Sequence, residues 1–129
     1  MDAVLRSEIE EVVKSCMLKY RHPLKLFGLN STCEYSQKVA AHLKTPLSVH
    51  EEESFKDGEV KLRSIDGPDG NVRGHNVFVI QSLYGDANES VNDKFMKMMI
   101  FCGSLRQAGC HNLTAVIPHL AYARQDQKD

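Results

Sequence analysis

Val77-Phe78-Val79-Ile80-Gln81 decides the fold. Four apolar residues follow one another without polar alternation, the pattern of a strand buried on both faces. Downstream, a polar loop at 84–91 leads to a helix from about Asn92 to Ala108, with Phe95, Met98, Met99, Cys102 and Leu105 expected on its buried side. Leu113 to Pro118 then reads as a second buried strand. Strand, helix and strand in that order imply a parallel pair joined by a right-handed crossover.

Upstream, Asp66-Gly67-Pro68-Asp69-Gly70-Asn71 is the most turn-rich stretch. Before it, Val49 to Phe55 and Glu59 to Ile65 read as two strands around a tight turn at Lys56-Asp57-Gly58. Leu24 to Phe27 is a short buried strand, residues 28–32 are a loop with cap residues, and Glu34 to Leu43 is a helix. At the front, Leu5, Ile9, Val12, Val13, Cys16, Met17 and Tyr20 recur at three- and four-residue steps, opposite Glu8, Glu11 and Lys14. That is an amphipathic helix, ended by His22-Pro23 because the residue before proline avoids the helical region. The expectation is a three-layer α/β domain with a mainly parallel sheet and a protruding β-hairpin.

The 129 residues suffice for one domain with a real core. Sixteen Lys and Arg against 17 Asp and Glu leave a net charge of -1, which offers no electrostatic footprint for nucleic acid or anionic membrane. No apolar run approaches the ~20 residues of a membrane span, and the acidic, broken start does not suit a signal peptide. The chain reads as cytoplasmic, with no nucleic-acid and no membrane partner. Cys16, Cys33, Cys102 and Cys110 lack C-x-x-C spacing and the six histidines are scattered, so reduced, structural thiols and no metal site are expected.

No phosphate-binding glycine loop, dinucleotide fingerprint or nucleophile elbow is present. Three constellations remain: Phe55-Lys56-Asp57-Gly58-Glu59 at the hairpin tip, Asn71-Val72-Arg73-Gly74 before the central strand, and Tyr122-Ala123-Arg124-Gln125-Asp126 beyond the last strand. Taken singly these are a solvated turn, a surface charge and a frayed terminus.

Taken in order, together with Lys25-Leu26-Phe27-Gly28, the Val77 strand through Ser82 and Thr114-Ala115-Val116-Ile117-Pro118, they resemble the ribose-phosphate pyrophosphokinases over residues 24–129. The resemblance implies a type I phosphoribosyltransferase-like domain at 23–129 behind a helical extension at 1–22, the family's second domain being absent from this chain. It implies transfer of the β,γ-diphosphoryl group of ATP to ribose 5-phosphate, giving phosphoribosyl diphosphate and AMP, with Mg2+. It further implies a homo-oligomer that holds ATP between subunits. Carried over, Phe55 packs on adenine, and Asp57 and Glu59 meet its amino edge or order the hairpin. Arg124 and Gln125 hold the nucleotide, and Asp129 closes the loop. A flat purine suits an aromatic ring and a guanidinium on its two faces, and a guanidinium forks onto phosphate oxygens. Arg73 is a candidate regulatory anion site, although Asn71 and Gly109 stand where many members have serines.

The family's magnesium and ribose-5-phosphate motifs have no counterpart here, so no catalytic and no metal-binding residue is expected in this chain. The isolated chain is expected to be inactive. The rival reading is a non-catalytic regulatory or nucleotide-binding subunit derived from the family.

Overall fold

A computed structural model describes residues 2–20, 22–65 and 71–124, with the backbone alone for 13–20. In chain order the elements are α1 (Ala3–Tyr20), β1 (Leu24–Gly28), a 3-10 turn (Asn30–Thr32), α2 (Cys33–Leu43), β2 (His50–Ser54), β3 (Val60–Ser64), β4 (Asn76–Ile80), α3 (Val91–Gln107) and β5 (Asn112–Val116). The Val77 run thus forms a strand, in the centre of a parallel sheet of order β1-β4-β5. Phe27 pairs with Val79, and Val79 with Ala115.

Alternation along these strands sends side chains to two cores. Phe27, Val77 and Val79 pack with Leu83 and with Met98, Phe101 and Leu105 of α3. Leu26 and Ile80 pack with Ala40 of α2, flanked by Leu47, Phe78 and Val116. A helix therefore covers each face, which gives the three layers. Gly28 lets α2 come close: a Cβ there would lie 2.3 Å from the Ser36 side chain, which no rotamer change relieves.

β2 and β3 form a separate antiparallel pair, with Glu52 opposite Leu62. Leu62 is 4% exposed and joins the α3-side core, so the base of the hairpin is docked and only its tip stands free.

One expected face is shifted. The residues that α3 buries are Lys94, Met98, Phe101 and Leu105, spaced at four, three and four. Phe95 and Met99, expected inside, are 38% and 51% exposed, and Cys102 is half-buried. Apolar residues flank the true stripe on one side, so hydrophobic spacing alone admits a second phase about one residue round the helix. Burial of Lys94 fixes the phase. Its ammonium donates to the Tyr84 carbonyl (2.6 Å) and to Asp86 Oδ2 (2.8 Å). The start of α3 is set by a reciprocal capping box between Ser90 and Asp93.

α1 is helical as its periodicity requires, yet Val4, Leu5, Ile9 and Val12 are all exposed and belong to neither core. Of the turn-rich stretch, residues 66–70 lie outside the described residues. Among the described residues no helix is long and apolar enough to cross a membrane.

Candidate functional site

The hairpin tip closes through three bonds. The Phe55 N–H donates to the Glu59 carbonyl (2.8 Å) and the Gly58 N–H to the Phe55 carbonyl (3.0 Å). The Glu59 N–H donates to Asp57 Oδ1 (3.0 Å). Gly58 takes φ +93°, the left-handed position that such a three-residue turn demands. Asp57 thus orders the turn with its own carboxylate. The turn leaves Phe55 44% exposed, and the Glu59 side chain is exposed as well. Phe55 lines a cleft of about 250 Å3 together with Val60, Asn88, Glu89, Met96 and Lys97.

A larger crevice opens past the carboxyl ends of the parallel strands, where open α/β sheets place their ligands. The ladder continues beyond β4 and β5 through the Gln81 N–H to the Val116 carbonyl (3.0 Å) and the Leu83 N–H to the His119 carbonyl (3.0 Å). Those bonds hold two loops side by side around a cavity of about 570 Å3 lined by Tyr84, His119, Tyr122 and Arg124. The Tyr84 ring stands edge-on to His119, centroids 5.3 Å apart. Tyr122 takes φ +59°, uncommon for a bulky residue, and its hydroxyl contacts the Asn92 side chain. One guanidinium among three aromatic side chains suits a flat ring carrying phosphate.

The expected residues therefore fall into three places. Phe55, Asp57 and Glu59 share the tip. Arg124 lines the crevice, which has no lining residue in common with the Phe55 cleft. Arg73 sits at the other pole of the sheet, in the turn before β4, its N–H donating to Asn71 Oδ1 (2.9 Å) and its side chain lying against Gly109. Gln125 and Asp129 lie outside the described residues. Among the described residues no three His, Cys, Asp or Glu side chains converge to hold a metal ion, and no step is assigned to magnesium in this chain.

Sequence reasoning left Tyr84 and His119 unassigned, since one sits in a polar loop and the other is a lone histidine. It also passed over the charged groups behind them. Lys94 is the first cause of a depressed Asp86 carboxyl, at about 2, with the Glu89 and Asn88 N–H groups adding to it. Glu52, buried on the inner face of β2, accepts from the Asn30 N–H (2.6 Å) and meets His50 Nε2 (2.9 Å). Burial pushes its carboxyl upward, but the bonds from His50 and Asn30 outweigh that and hold it below the usual value.

Residues 24–129 match the N-terminal domain of ribose phosphate pyrophosphokinase. The chain is 35% identical over 107 residues to a ribose-phosphate pyrophosphokinase of Chlorobaculum tepidum, covering 83% of this chain and 30% of that protein. It is 36% identical over 104 residues to the one from Campylobacter jejuni, covering 81% and 31%. The crystal structure of phosphoribosylpyrophosphate synthetase from Mycobacterium smegmatis superimposes with a TM-score of 0.70 at 30% identity, covering 82% of this chain and 33% of that one. The chain spans about a third of the length of the curated relatives it matches.

Proposed function

The chain belongs to the ribose-phosphate pyrophosphokinase family, matching its N-terminal domain, and from that premise we propose that it carries the ATP-holding surfaces of a ribose-phosphate diphosphokinase. The observation that carries this reading is Arg124 among Tyr84, His119 and Tyr122 in the strand-end crevice. The reaction joins the anomeric oxygen of ribose 5-phosphate to the β-phosphorus of ATP and breaks the bond to the α-phosphate oxygen, so AMP leaves. Such a transfer asks the protein for positioning and for neutralisation of phosphate charge. Arg124 offers the second, and the aromatic walls offer the first.

Phe55 takes the other face of the adenine. Because Phe55 and Arg124 line separate cavities within one chain, the reading requires a second copy, with the hairpin of one chain meeting the crevice of its neighbour. That makes a homo-oligomer the working form, and in this reading ribose 5-phosphate and the Mg2+ ligands belong to the family's second domain. In this reading Gln125 and Asp129 also serve the nucleotide, and Arg73 at the opposite pole is left to anion regulation. A cytoplasmic location accords with a substrate pair made and used there.

Titration of ATP into the 15N-labelled chain tests it. Amide shifts are expected at Tyr84, Tyr122 and Arg124, and at Phe55 and Gly58 in the self-associated fraction. Saturating ATP that leaves the Arg124 loop unmoved would sink the reading.

A further inference from the structure

Behind the tip and the crevice runs a series of polar contacts, most of them on buried side chains and linked in part through the backbone, that the nucleotide reading does not use. It begins on β2, where His50 and Glu52 have side chains only 8% and 6% exposed. The His50 ring packs against Phe27 and Phe101, centroids 6.4 Å and 5.3 Å away, and those two rings also touch each other. Glu52 Oε2 meets His50 Nε2 and crosses to the backbone N–H of Asn30, the first residue of the 3-10 turn after β1. The next two residues of that turn, Ser31 and Thr32, donate their hydroxyls to Gln81 Oε1 (3.1 and 2.7 Å). Gln81 is fully buried at the end of β4, and its amide nitrogen donates to the Lys94 carbonyl (3.4 Å). Lys94 reaches on to the Tyr84 carbonyl, at the wall of the crevice.

We propose that this bridge is a positioning device: Glu52, with His50, fixes the bearing of the Phe55 hairpin relative to the Arg124 crevice, and Gln81 carries the constraint across the strand ends. The proposal rests on the nucleotide reading only in saying why that bearing matters. Its geometric basis stands apart. Leu62 and Val60 dock the hairpin on the α3-side core by apolar contact, which is non-directional. Glu52 to Asn30 is a hydrogen bond between the β2–β3 pair and a strand-end loop, and a bond of that kind carries a direction. A buried ionisable pair gains little stability over apolar residues of the same volume, so its use here fits registry. Glu52 lies three residues before Phe55 on a short strand, so a tilt at Glu52 is carried to the ring.

The test reads orientation without nucleotide, in the 129-residue chain. Residual dipolar couplings give the direction of β2–β3 relative to β1-β4-β5 in the wild type, Glu52→Ala, Glu52→Gln and the apolar double variant His50→Phe/Glu52→Leu. Glu52→Gln keeps an acceptor for the Asn30 N–H and is expected to hold the wild-type orientation. Glu52→Ala is expected to turn the hairpin and to speed hydrogen exchange at Asn30 about tenfold or more, as loss of a charge-assisted bond implies. Should Glu52→Ala not fold, the double variant, which leaves no buried charge, decides the same question. A folded variant lacking the Glu52 acceptor that keeps the wild-type orientation overturns the proposal. ATP shifts at Arg124 in the same samples report on the nucleotide reading separately, so either idea can fail without the other.

Discussion

The base and the tip of the hairpin are built from one continuous strand pair and obey opposite rules. At the base, Leu62, His50 and Glu52 are buried, and each is held by a partner from another part of the fold. At the tip, five residues later than His50, Phe55 is 44% exposed, and the turn is closed by its own backbone and by Asp57. The base spends its chemistry on holding a place, and the tip keeps an aromatic ring in water for something else to cover. The difference teaches that stability and recognition separate along a single hairpin. Base substitutions should therefore unfold or tilt the protein, while tip substitutions should leave it folded and alter binding.

Glu52→Ala is the hardest blow to that comparison. Removing the buried carboxylate leaves two buried donors, the His50 ring and the Asn30 N–H, without their acceptor, at roughly 1–3 kcal/mol each. Urea denaturation should show this, whereas Glu51→Ala, on the outer face beside Arg63 and Lys61, should leave the midpoint where it was, as exposed ion pairs usually do. Equal losses at the two neighbouring glutamates would erase the distinction between inner and outer face. Leu62→Ala comes next, at about 2–5 kcal/mol for a buried leucine truncated in a packed core. Its loss should come with no change in the urea m-value if the hairpin unfolds with the rest. A lowered m-value would show that the hairpin detaches by itself.

Acid should act on the base through Glu52. The Glu52 carboxyl is held below its ordinary value in the folded protein. Its contribution to stability is fully present above the unfolded value, about 4.3 for glutamate. It is lost as pH falls through the lower, folded value, where protonation breaks the bonds to His50 and Asn30. Glu52→Gln has no such proton to take up, so its stability should fall less steeply with acid than that of the wild type. Parallel acid limbs in the two proteins would contradict the assignment.

What the sequence discloses follows the same division. The strand at Val77, the hairpin around Lys56-Asp57-Gly58 and the helix boundaries are legible because period and turn chemistry are local. Glu51, Glu52 and Glu53 are three identical letters, and alternation makes the middle one differ from its neighbours. That it is buried depends on Asn30, 22 residues earlier. The phase of α3 escaped for the same reason: Phe95 and Met99 are as apolar as Phe101, and only the loop carrying Tyr84 and Asp86 makes Lys94 the residue that turns inward. At the candidate site the arginine could be singled out by its surroundings in sequence. Tyr84 and His119 meet only because the ladder extends past two strands 36 residues apart in register, Asn76 against Asn112.

Gly58→Ala is a smaller test at the border between the two regions. No atom lies within 4 Å of where the new Cβ would be, so crowding plays no part and the cost is purely conformational. At φ +93° that cost is of order 1–2 kcal/mol for an L side chain. Because the turn carries Phe55, the same variant should also weaken ATP binding if the hairpin tip takes part in it. A fall in stability with unaltered ATP binding would confine the turn to a structural role.

The smallest expected effect is the most informative, since it asks whether the tip does anything besides close a turn. Phe55→Ala removes a ring that is nearly half in water and belongs to neither core, so the melting temperature should hardly move. If the ring covers adenine bound at the Arg124 crevice of a neighbouring copy, ATP affinity should fall by about 0.5–1.5 kcal/mol beyond the loss of contact area, the worth of aromatic stacking. Phe55→Tyr should keep the affinity, because it keeps the π face, and Lys56→Ala should change neither property. The competing idea is that Phe55 closes over Val60 and Met96 in its own cleft. It makes the reverse forecast: Phe55→Ala would lower the melting temperature and leave ATP affinity of the folded protein untouched. Calorimetric binding and thermal denaturation on the same three variants separate the two, and unchanged ATP affinity in folded Phe55→Ala would remove the tip from the nucleotide site.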